Sequence, residues 1–457
     1  MGGNVKQSVL AVVGGGPKAL AIAAKASVLA KLGFRPPKIV ILEKSEIAHH
    51  WVEGSSFTNG RLPLGTSADK DIGFPYYSFC WGDSANKRVN YLMQRYSWQN
   101  FLIAKHRFAD WIDRGRPAPY HHEWAEYLRW VYGHLASQVE LVHAKVQSVD
   151  IAADRWKISS VTPNGETIQT DADGLVFTGP GEMKLPFEVP SHERILTYSD
   201  FWKKHRQLGA VRNATFALVG AGENAATIAV TLGQADPSIS IHIISPNATS
   251  YTRGESYVEN HLYTDPIQGN WLQLTQEDRR DFIQRTDRGV FSVTTKRQLD
   301  HLRNIESTPG MLKGVRVDKL DQIALNLEYN KGSEEQIFDY LILAVGFNHT
   351  YFVERLLTPR AKERLMDSAH LREWTTAELE QKVDENLALE GQLQPVLHLP
   401  MLAGMNQGPG FANLSCLGRL SDHILARYVV IGSSERMREP LLLSLTDTEM
   451  NMDDPTS

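Results

Sequence analysis

The run Val9-Leu10-Ala11-Val12-Val13-Gly14-Gly15-Gly16-Pro17-Lys18-Ala19 decides the fold of the chain. Five apolar residues predict a buried strand, three glycines predict a tight turn, and the Ala- and Leu-rich stretch that begins at Pro17 predicts a helix. A second apolar strand follows at Lys38 to Glu43. Strand, glycine turn, helix and strand are the parts of a βαβ unit in a parallel sheet.

The same order recurs in the middle of the chain. Residues 214–219 predict a strand, Gly220-Ala221-Gly222-Glu223-Asn224-Ala225 predicts a glycine turn that opens a helix, and Ser240 to Ser245 predicts the next strand. Two such units predict an α/β fold with two Rossmann-like dinucleotide-binding domains. The sequence also predicts a smaller helical region over about 255–305.

The first glycine turn has the features of a pyrophosphate site. Unpaired backbone N–H groups at a helix start attract an anion. Gly14 allows the tight turn, Gly16 lets phosphates approach the backbone, and Ala19 permits close packing of helix on strand. Glu43 ends the next strand and can accept hydrogen bonds from both ribose hydroxyls, which fits the adenosine of FAD or NAD.

The second unit differs at its nucleotide end. Its second strand runs into Ser245-Pro246-Asn247 instead of an acidic residue, and Arg253 lies a few residues on. Because no carboxylate repels a 2′-phosphate there and an arginine can pair with it, this unit favours NADPH over NADH.

These units suggest a division of the chain. We expect an FAD-binding domain over 1–190, completed by about 385–435, an NADPH-binding domain over 205–350 with the helical region inside it, a linker at 184–190 and a flexible tail at 436–457. We also expect helices over 96–111, 122–134 and 272–302, antiparallel strands over 139–161, and buried strands near 174–180 and 339–347.

Composition narrows the function classes. The chain has 457 residues and a net charge of -5, so it lacks the excess of Lys and Arg that a nucleic-acid surface needs. Lys18, Lys25 and Lys31 interrupt the apolar N-terminal stretch, which argues against stable membrane insertion. The two cysteines, Cys80 and Cys416, are far apart, which argues against a redox-active pair and fits the cytoplasm. The histidine pairs 49–50 and 121–122 lack a third ligand at metal spacing, so no metal is expected.

Seven segments resemble the N-hydroxylating flavin monooxygenases of siderophore biosynthesis. They are residues 14–19, 64–76, 95–99, 111–119, 252–255, 285–292 and 407–418. Among these enzymes, the ornithine and lysine N-hydroxylases, the chain looks closest to the lysine N6-hydroxylases of mycobactin-type pathways. One departure is Ala344-Val345-Gly346-Phe347, where the family commonly has a threonine in place of Val345.

The resemblance implies that NADPH reduces FAD, that O2 forms a C4a-hydroperoxyflavin, and that its distal oxygen is transferred to an unprotonated primary amine. The cofactor then carries the chemistry and no side chain acts as a catalytic residue. Lys70 matches a lysine that faces the substrate carboxylate in ornithine hydroxylases, Asn260 matches an asparagine at the amino-acid end, and Ser415 matches a position near flavin and substrate. Ornithine hydroxylases have a second asparagine where this chain has Val290. The resemblance also implies that the helical region over about 255–305 binds the substrate.

The other positions expected to contact FAD or NADPH are Pro17, Lys18, Lys44, Trp51, Trp98, Gln99, Gly220, Gly222, Glu223, Asn224, Gly346, Pro409 and Leu414. The leading substrate is lysine or a related amine, with ornithine, histamine and putrescine as alternatives. A non-hydroxylating flavin reductase or redox module is the alternative of another class. The resemblance further implies a homo-oligomer, either dimer or tetramer.

Overall fold

Two parallel five-stranded sheets organise the chain, and two antiparallel three-stranded sheets lie beside them. The structure is a computed structural model that describes residues 7–183, 185 and 187–429. The strands are β1 (Val9–Val13), β2 (Lys38–Glu43), β3 (Glu140–His143), β4 (Lys145–Ala152), β5 (Arg155–Val161), β6 (Thr167–Ala172), β7 (Gly174–Phe177), β8 (Ile195–Thr197), β9 (Thr215–Val219), β10 (Ser240–Ser245), β11 (Ile305–Pro309), β12 (Met311–Val317), β13 (Ile323–Tyr329), β14 (Gly332–Phe338), β15 (Tyr340–Leu343) and β16 (Val396–His398).

The helices surround these sheets. They are α1 (Pro17–Lys31), α2 (Asp83–Met93), α3 (Trp98–Ala104), α4 (Phe108–Asp113), α5 (His121–Leu135), α6 (Tyr198–Leu208), α7 (Glu223–Ala235), α8 (Tyr257–Thr264), α9 (Gln276–Thr286), α10 (Val293–Asp300), α11 (Tyr351–Leu356), α12 (Pro359–Ala369), α13 (Thr376–Gln381), α14 (Gly404–Gln407) and α15 (Leu417–Ala426).

The first sheet has the order β16-β7-β1-β2-β3, and all of its neighbouring strands run parallel. β1 lies at its centre, so the first glycine turn opens at the middle of the carboxyl edge. α1 is buried from Lys18 to Leu29 because it packs against α5 and α15. Inside this packing, Lys25 forms an ion pair with Asp422 of α15 at 2.7 Å, with both side chains almost completely buried. A charge can be buried there because its partner is held within hydrogen-bonding distance.

The second sheet has the order β11-β10-β9-β15-β8 and is also parallel. Its central strand β9 leads into the second glycine turn. One face packs on α6 and α7, and a separate apolar cluster joins the sheet to the antiparallel sheet β12-β13-β14. The α/β class with two parallel sheets is therefore confirmed.

Three details differ from the sequence-based expectations. The helix expected over 96–111 is divided into α3 and α4, because His106 adopts a left-handed backbone conformation with φ 54°. β3, expected to pair antiparallel, pairs parallel with β2, and only β4, β5 and β6 form an antiparallel sheet. The chain returns to the first core at α11 and α12, which pack on β4, well before residue 385.

The helical region lies against the segment that returns to the first sheet. Asp265, just after α8, pairs with Arg419 of α15 at 2.6 Å, and both side chains are buried. The Trp271 indole donates to the carbonyl of Gly404 at 3.1 Å. α10 packs instead on α7, the helix that follows the second glycine turn. The region therefore contacts both parallel-sheet units. The expected tail at 436–457 lies outside the described residues.

His398, at the end of β16, gives a prediction about pH and stability. Its ring is fully buried and lies 2.9 Å from the Asn386 carbonyl oxygen and 2.7 Å from the Tyr428 hydroxyl oxygen. Burial lowers the pKa of His398 to about 4. Because the unfolded state binds the proton already near pH 6.5, stability is lost as pH falls from about 6.5 to about 4. We expect His398→Gln to reduce this loss by about 2–3 kcal/mol between about pH 7 and pH 4.5.

Urea unfolding of the protein at the two pH values measures this difference. His134→Gln is the matched control, because that ring is exposed on α5. Equal acid sensitivity of the wild type and His398→Gln would contradict the prediction.

Candidate cofactor and substrate sites

The first glycine turn combines one glycine required by the fold with one that faces open space. Gly14 has φ +107°, and a methyl group there would lie 2.4 Å from Thr178 Oγ1. Gly16 has extended backbone, begins α1 without a side-chain cap, and would carry a methyl group with no atom within 4 Å. The helix start is thus open to a ligand that approaches its N–H groups, which fits a pyrophosphate.

Glu43 closes the other side of this turn. Its carboxylate accepts hydrogen bonds from the Gly15 N–H at 2.7 Å and the Ser45 N–H at 2.8 Å. Each oxygen has a second lone pair, so the group can still accept a ribose hydroxyl. Lys44, next to it, has an exposed side chain. Trp51 contacts the His121 ring at 4.9 Å between centroids.

Lys18 joins the first turn to the segment over residues 409–416. Its ammonium group donates to the Ala412 carbonyl at 2.8 Å and lies 3.0 Å from Met401 Sδ. Burial lowers the pKa of Lys18 to about 8. This contact holds the segment that contains the expected positions Pro409, Leu414 and Ser415 against the start of α1. Pro409 is buried, and Leu414 and Ser415 are partly buried.

In the second glycine turn, too, the fold requires one glycine and the other faces open space. Gly220 has φ +144°, and a methyl group there would lie 2.4 Å from the Ala344 carbonyl oxygen. Gly222 begins α7 without a side-chain cap, and a methyl group on it would find its nearest atom at 3.9 Å, in Gly289. This helix start is also open to an anion. Asn224, in its first turn, is partly buried.

Glu223, expected to contact a cofactor, also makes contacts that the sequence did not predict. Its carboxylate accepts hydrogen bonds from the Ser292 N–H at 2.5 Å and the Ser292 hydroxyl at 3.0 Å, and from the Thr295 hydroxyl. Both oxygens therefore hold the start of α10 against α7. The position was expected to contact a cofactor because it follows Gly222, but its side chain turns towards another helix.

Arg253 lies against the Lys70 segment. Its guanidinium donates to the Gly65 carbonyl at 3.0 Å, and its Nε is buried without a partner among the described residues. Ser245, by contrast, is buried at the end of β10, where its hydroxyl accepts from the Asn247 N–H at 3.3 Å.

Lys70 and Asn260, the two expected substrate residues, are brought together although 190 positions separate them. The Lys70 ammonium donates to Asn260 Oδ1 at 3.1 Å. Burial lowers the pKa of Lys70. The neighbouring Asp71 is buried and accepts from the Trp98 N–H at 2.8 Å and the Tyr76 hydroxyl at 2.7 Å. Asp71, which sequence reasoning missed, therefore fixes the position of the Lys70 segment.

Cys416 interacts electrostatically both with Lys70, an expected substrate residue, and with Lys18 at the first glycine turn. Its thiol is fully buried, and both Lys18 and Lys70 are among the charges that act on it. Burial raises the pKa of Cys416 to about 12. Both lysines therefore lie near the buried Cys416 thiol, and Ser415 precedes Cys416 in the chain. A pattern based on pairs of cysteines could not have identified this position.

Trp98 and Gln99 have less direct relations to the site. The Trp98 ring is buried in an aromatic cluster, with centroids 5.2 Å from Phe101 and 5.6 Å from Tyr127. Its main-chain N–H donates to Asp71 of the Lys70 segment at 2.8 Å. Gln99 is exposed on α3.

The charges of Lys18, at the first glycine turn, and of Arg288, in the helical region, both act on His349. It follows β15, its Nδ1 is buried without a partner among the described residues, and Lys18 and Arg288 are its charged neighbours. Burial lowers the pKa of His349 to about 3, so the ring is neutral near pH 7. Gly346, just before it, has φ +87°, and Val345 packs on the cluster below β15. An apolar contact thus occupies the position of the family's threonine.

The described residues contain neither a metal cluster nor a membrane-spanning helix. Within residues 7–183, 185 and 187–429, no three His, Cys, Asp or Glu side chains cluster as a metal site requires. Over the same ranges, no helix is both long and apolar enough to cross a bilayer. Val290, where ornithine hydroxylases have an asparagine, is buried.

Comparison with known proteins identifies the family of the chain. The sequence model of the family described as L-lysine 6-monooxygenase/L-ornithine 5-monooxygenase matches residues 93–349. The L-lysine N6-monooxygenase MbtG of Mycolicibacterium paratuberculosis is 39% identical over 428 residues, which are 92% of this chain and 95% of the relative.

Two solved structures are similar to the chain over most of its length. The lysine monooxygenase NbtG from Nocardia farcinica is 34% identical with a TM-score of 0.79, over 93% of this chain and 100% of that one. The ornithine N-hydroxylase KtzI of Kutzneria sp. 744, solved with reduced FAD, NADP+ and L-ornithine, is 17% identical with a TM-score of 0.73, over 93% and 99%, and supports the fold alone. The chain belongs to the L-lysine 6-monooxygenase/L-ornithine 5-monooxygenase family.

Proposed function

We propose that this protein is an FAD- and NADPH-dependent monooxygenase that hydroxylates the N6 amine of L-lysine in siderophore biosynthesis. The observation that carries the choice of an amino acid is the contact between Lys70 and Asn260 at 3.1 Å. A cation and an amide held together can bind the carboxylate and amino groups of one amino-acid end. MbtG and NbtG, to which the chain is similar, are both lysine monooxygenases.

The spaces in front of the two glycine turns, residues 14–16 and 220–222, accept different cofactors. Gly16 and Glu43 would hold FAD by its pyrophosphate and adenosine ribose, and Gly222 would hold the pyrophosphate of NADPH. Bound FAD and NADPH supply the redox chemistry, in which dioxygen is reduced and one oxygen atom is delivered to the amine. The protein binds the substrate, orients it and excludes water from it.

The surroundings of Lys18 show how the protein can lower the pKa of the substrate amine and so raise its neutral fraction. An amine must lose its proton before its lone pair can react, and burial disfavours the charged form. Lys18 is itself a primary amine in these surroundings, and burial lowers its pKa to about 8. A lysine substrate whose far amine reaches the same region experiences the same cost of carrying a charge.

The division into domains is part of the proposal. β1, β2, β3, β7 and β16 with α1 form the FAD-binding domain, and β8 to β11 and β15 with α7 form the NADPH-binding domain. The helical region over 255–305 supplies Asn260 to the substrate site. We also propose that the enzyme is a cytoplasmic homo-oligomer, a dimer or tetramer. The two unpaired cysteines support the cytoplasm, and light scattering coupled to gel filtration tests the oligomer.

The test of function is a panel of L-lysine, L-ornithine, histamine and putrescine, scored by hydroxylated product. NADPH and NADH are compared as reductants in the same assay. We expect N6-hydroxylysine with NADPH as the main product. NADPH consumption that yields only hydrogen peroxide with every amine would instead identify a reductase.

A further inference from the structure

Charged side chains of both signs surround the contact between Lys70 and Asn260. The Asn260 amide donates to the main-chain oxygen of Glu255 at 3.0 Å while its own oxygen accepts from Lys70. Arg253, two residues before Glu255, is held by its hydrogen bond to the Gly65 carbonyl. Residues 253–255 therefore border the space in front of Lys70.

The charges of Arg253 and Glu255 both reach Lys70. Burial is the main cause that lowers the pKa of Lys70; Cys416 raises it, Arg253 lowers it further, and Glu255 raises it. The space in front of Lys70 thus has two cations and one carboxylate around it.

Among the described residues, one hydrogen-bond donor of Arg253 and the carboxylate of Glu255 have no hydrogen-bond or ion-pair partner. The Nε of Arg253 is buried without an acceptor. A buried donor without a partner is unfavourable and marks a place where a ligand can bind. The carboxylate of Glu255 is exposed, and no hydrogen bond or ion pair of that carboxylate is found among the described residues.

The site also has a direction. Glu255 is exposed, whereas Cys416, which also acts on the charge of Lys70, is fully buried and is in turn acted on by Lys18. An amino acid that enters with its chain pointing inwards places its charged end beside Glu255 and Lys70. Its far amine then points towards Lys18 and the first glycine turn.

We propose that Glu255 binds the α-ammonium group of the substrate and that Arg253 joins Lys70 at its α-carboxylate. This rests on the proposed lysine hydroxylation and defines how the site distinguishes an amino acid from a diamine. Two cations and one carboxylate complement the charges of a zwitterion. Arg253 is then a substrate residue, in contrast to the 2′-phosphate contact expected from the sequence.

The test uses three ligands that differ in one charged group each. L-Lysine has both groups, 6-aminohexanoate lacks the α-ammonium, and cadaverine lacks the α-carboxylate. Calorimetric titration of the enzyme loaded with FAD and NADP+ gives each Kd for the wild type, Glu255→Gln, Arg253→Gln and the control Glu334→Gln. Glu334 is an exposed residue of β14.

We expect Glu255→Gln to weaken L-lysine binding by about 10- to 100-fold and to leave 6-aminohexanoate within about two-fold of the wild type. Arg253→Gln is expected to weaken L-lysine and 6-aminohexanoate alike, with cadaverine and NADP+ unchanged. Glu334→Gln is expected to match the wild type throughout.

Two results would overturn the proposal. One is a Glu255→Gln variant that binds all three ligands like the wild type. The other is an Arg253→Gln variant that selectively loses NADP+, which would return Arg253 to the 2′-phosphate. Failure of the proposed function is separate, because it would appear as a wild-type enzyme that makes no hydroxylysine.

Discussion

Replacing Lys70 by alanine is expected to lower kcat/KM for L-lysine by about 100- to 1,000-fold, mainly through a higher KM. Lys70 is partly buried, and its ammonium is already oriented by Asn260 at 3.1 Å. Truncating one partner of a buried charged contact costs about 2–5 kcal/mol, because the other charge remains without a partner. In this enzyme, that other charge is the substrate carboxylate.

The measurement is hydroxylated product as a function of L-lysine concentration at saturating NADPH. Cadaverine serves as a ligand without a carboxylate, and its apparent KM or inhibition constant is expected to be unchanged. Lys331→Ala, at an exposed turn after β13, is the matched control. An unchanged KM for L-lysine, or an equal loss with cadaverine, would remove Lys70 from the carboxylate site.

The two parallel sheets could be predicted because each depends on a local pattern. An apolar strand, a glycine turn and an apolar helix are adjacent in sequence, and Gly14 and Gly220 occupy backbone conformations that favour glycine. The bounds of β10 agree with the predicted ones for the same reason.

The site could be predicted only where family resemblance supplied the pairing. Lys70 and Asn260 meet across 190 positions and Arg253 meets Gly65 across 188, and no local pattern encodes such distances. Glu223 shows a contact that the local pattern did not predict. Its place after a glycine turn favoured a cofactor contact, but packing of α10 on α7 had already engaged its carboxylate. Asp71 and His349 were missed because their roles depend on burial.

Gly16→Ala is expected to weaken FAD binding by about 10- to 100-fold while the protein still folds. A methyl group at Gly16 meets no protein atom within 4 Å, so it enters only the space that a pyrophosphate would use. At the start of a helix, alanine replaces glycine at a cost of about 1 kcal/mol. Titration of FAD into the deflavinated variant measures the affinity, and circular dichroism with urea unfolding measures the fold.

Gly14→Ala is the informative counterpart, because it changes the same turn two residues earlier. Its φ of +107° and the 2.4 Å approach to Thr178 Oγ1 place the strain in the folded chain itself. We therefore expect Gly14→Ala to lower the free energy of unfolding by about 2–4 kcal/mol with or without FAD. Gly222→Ala, the equivalent of Gly16→Ala in the second unit, is expected to weaken NADP+ and spare FAD. If Gly16→Ala and Gly14→Ala lost stability alike while FAD affinity was retained, the open space at the start of α1 would not be the flavin site, and Glu43 would have no nucleotide to bind.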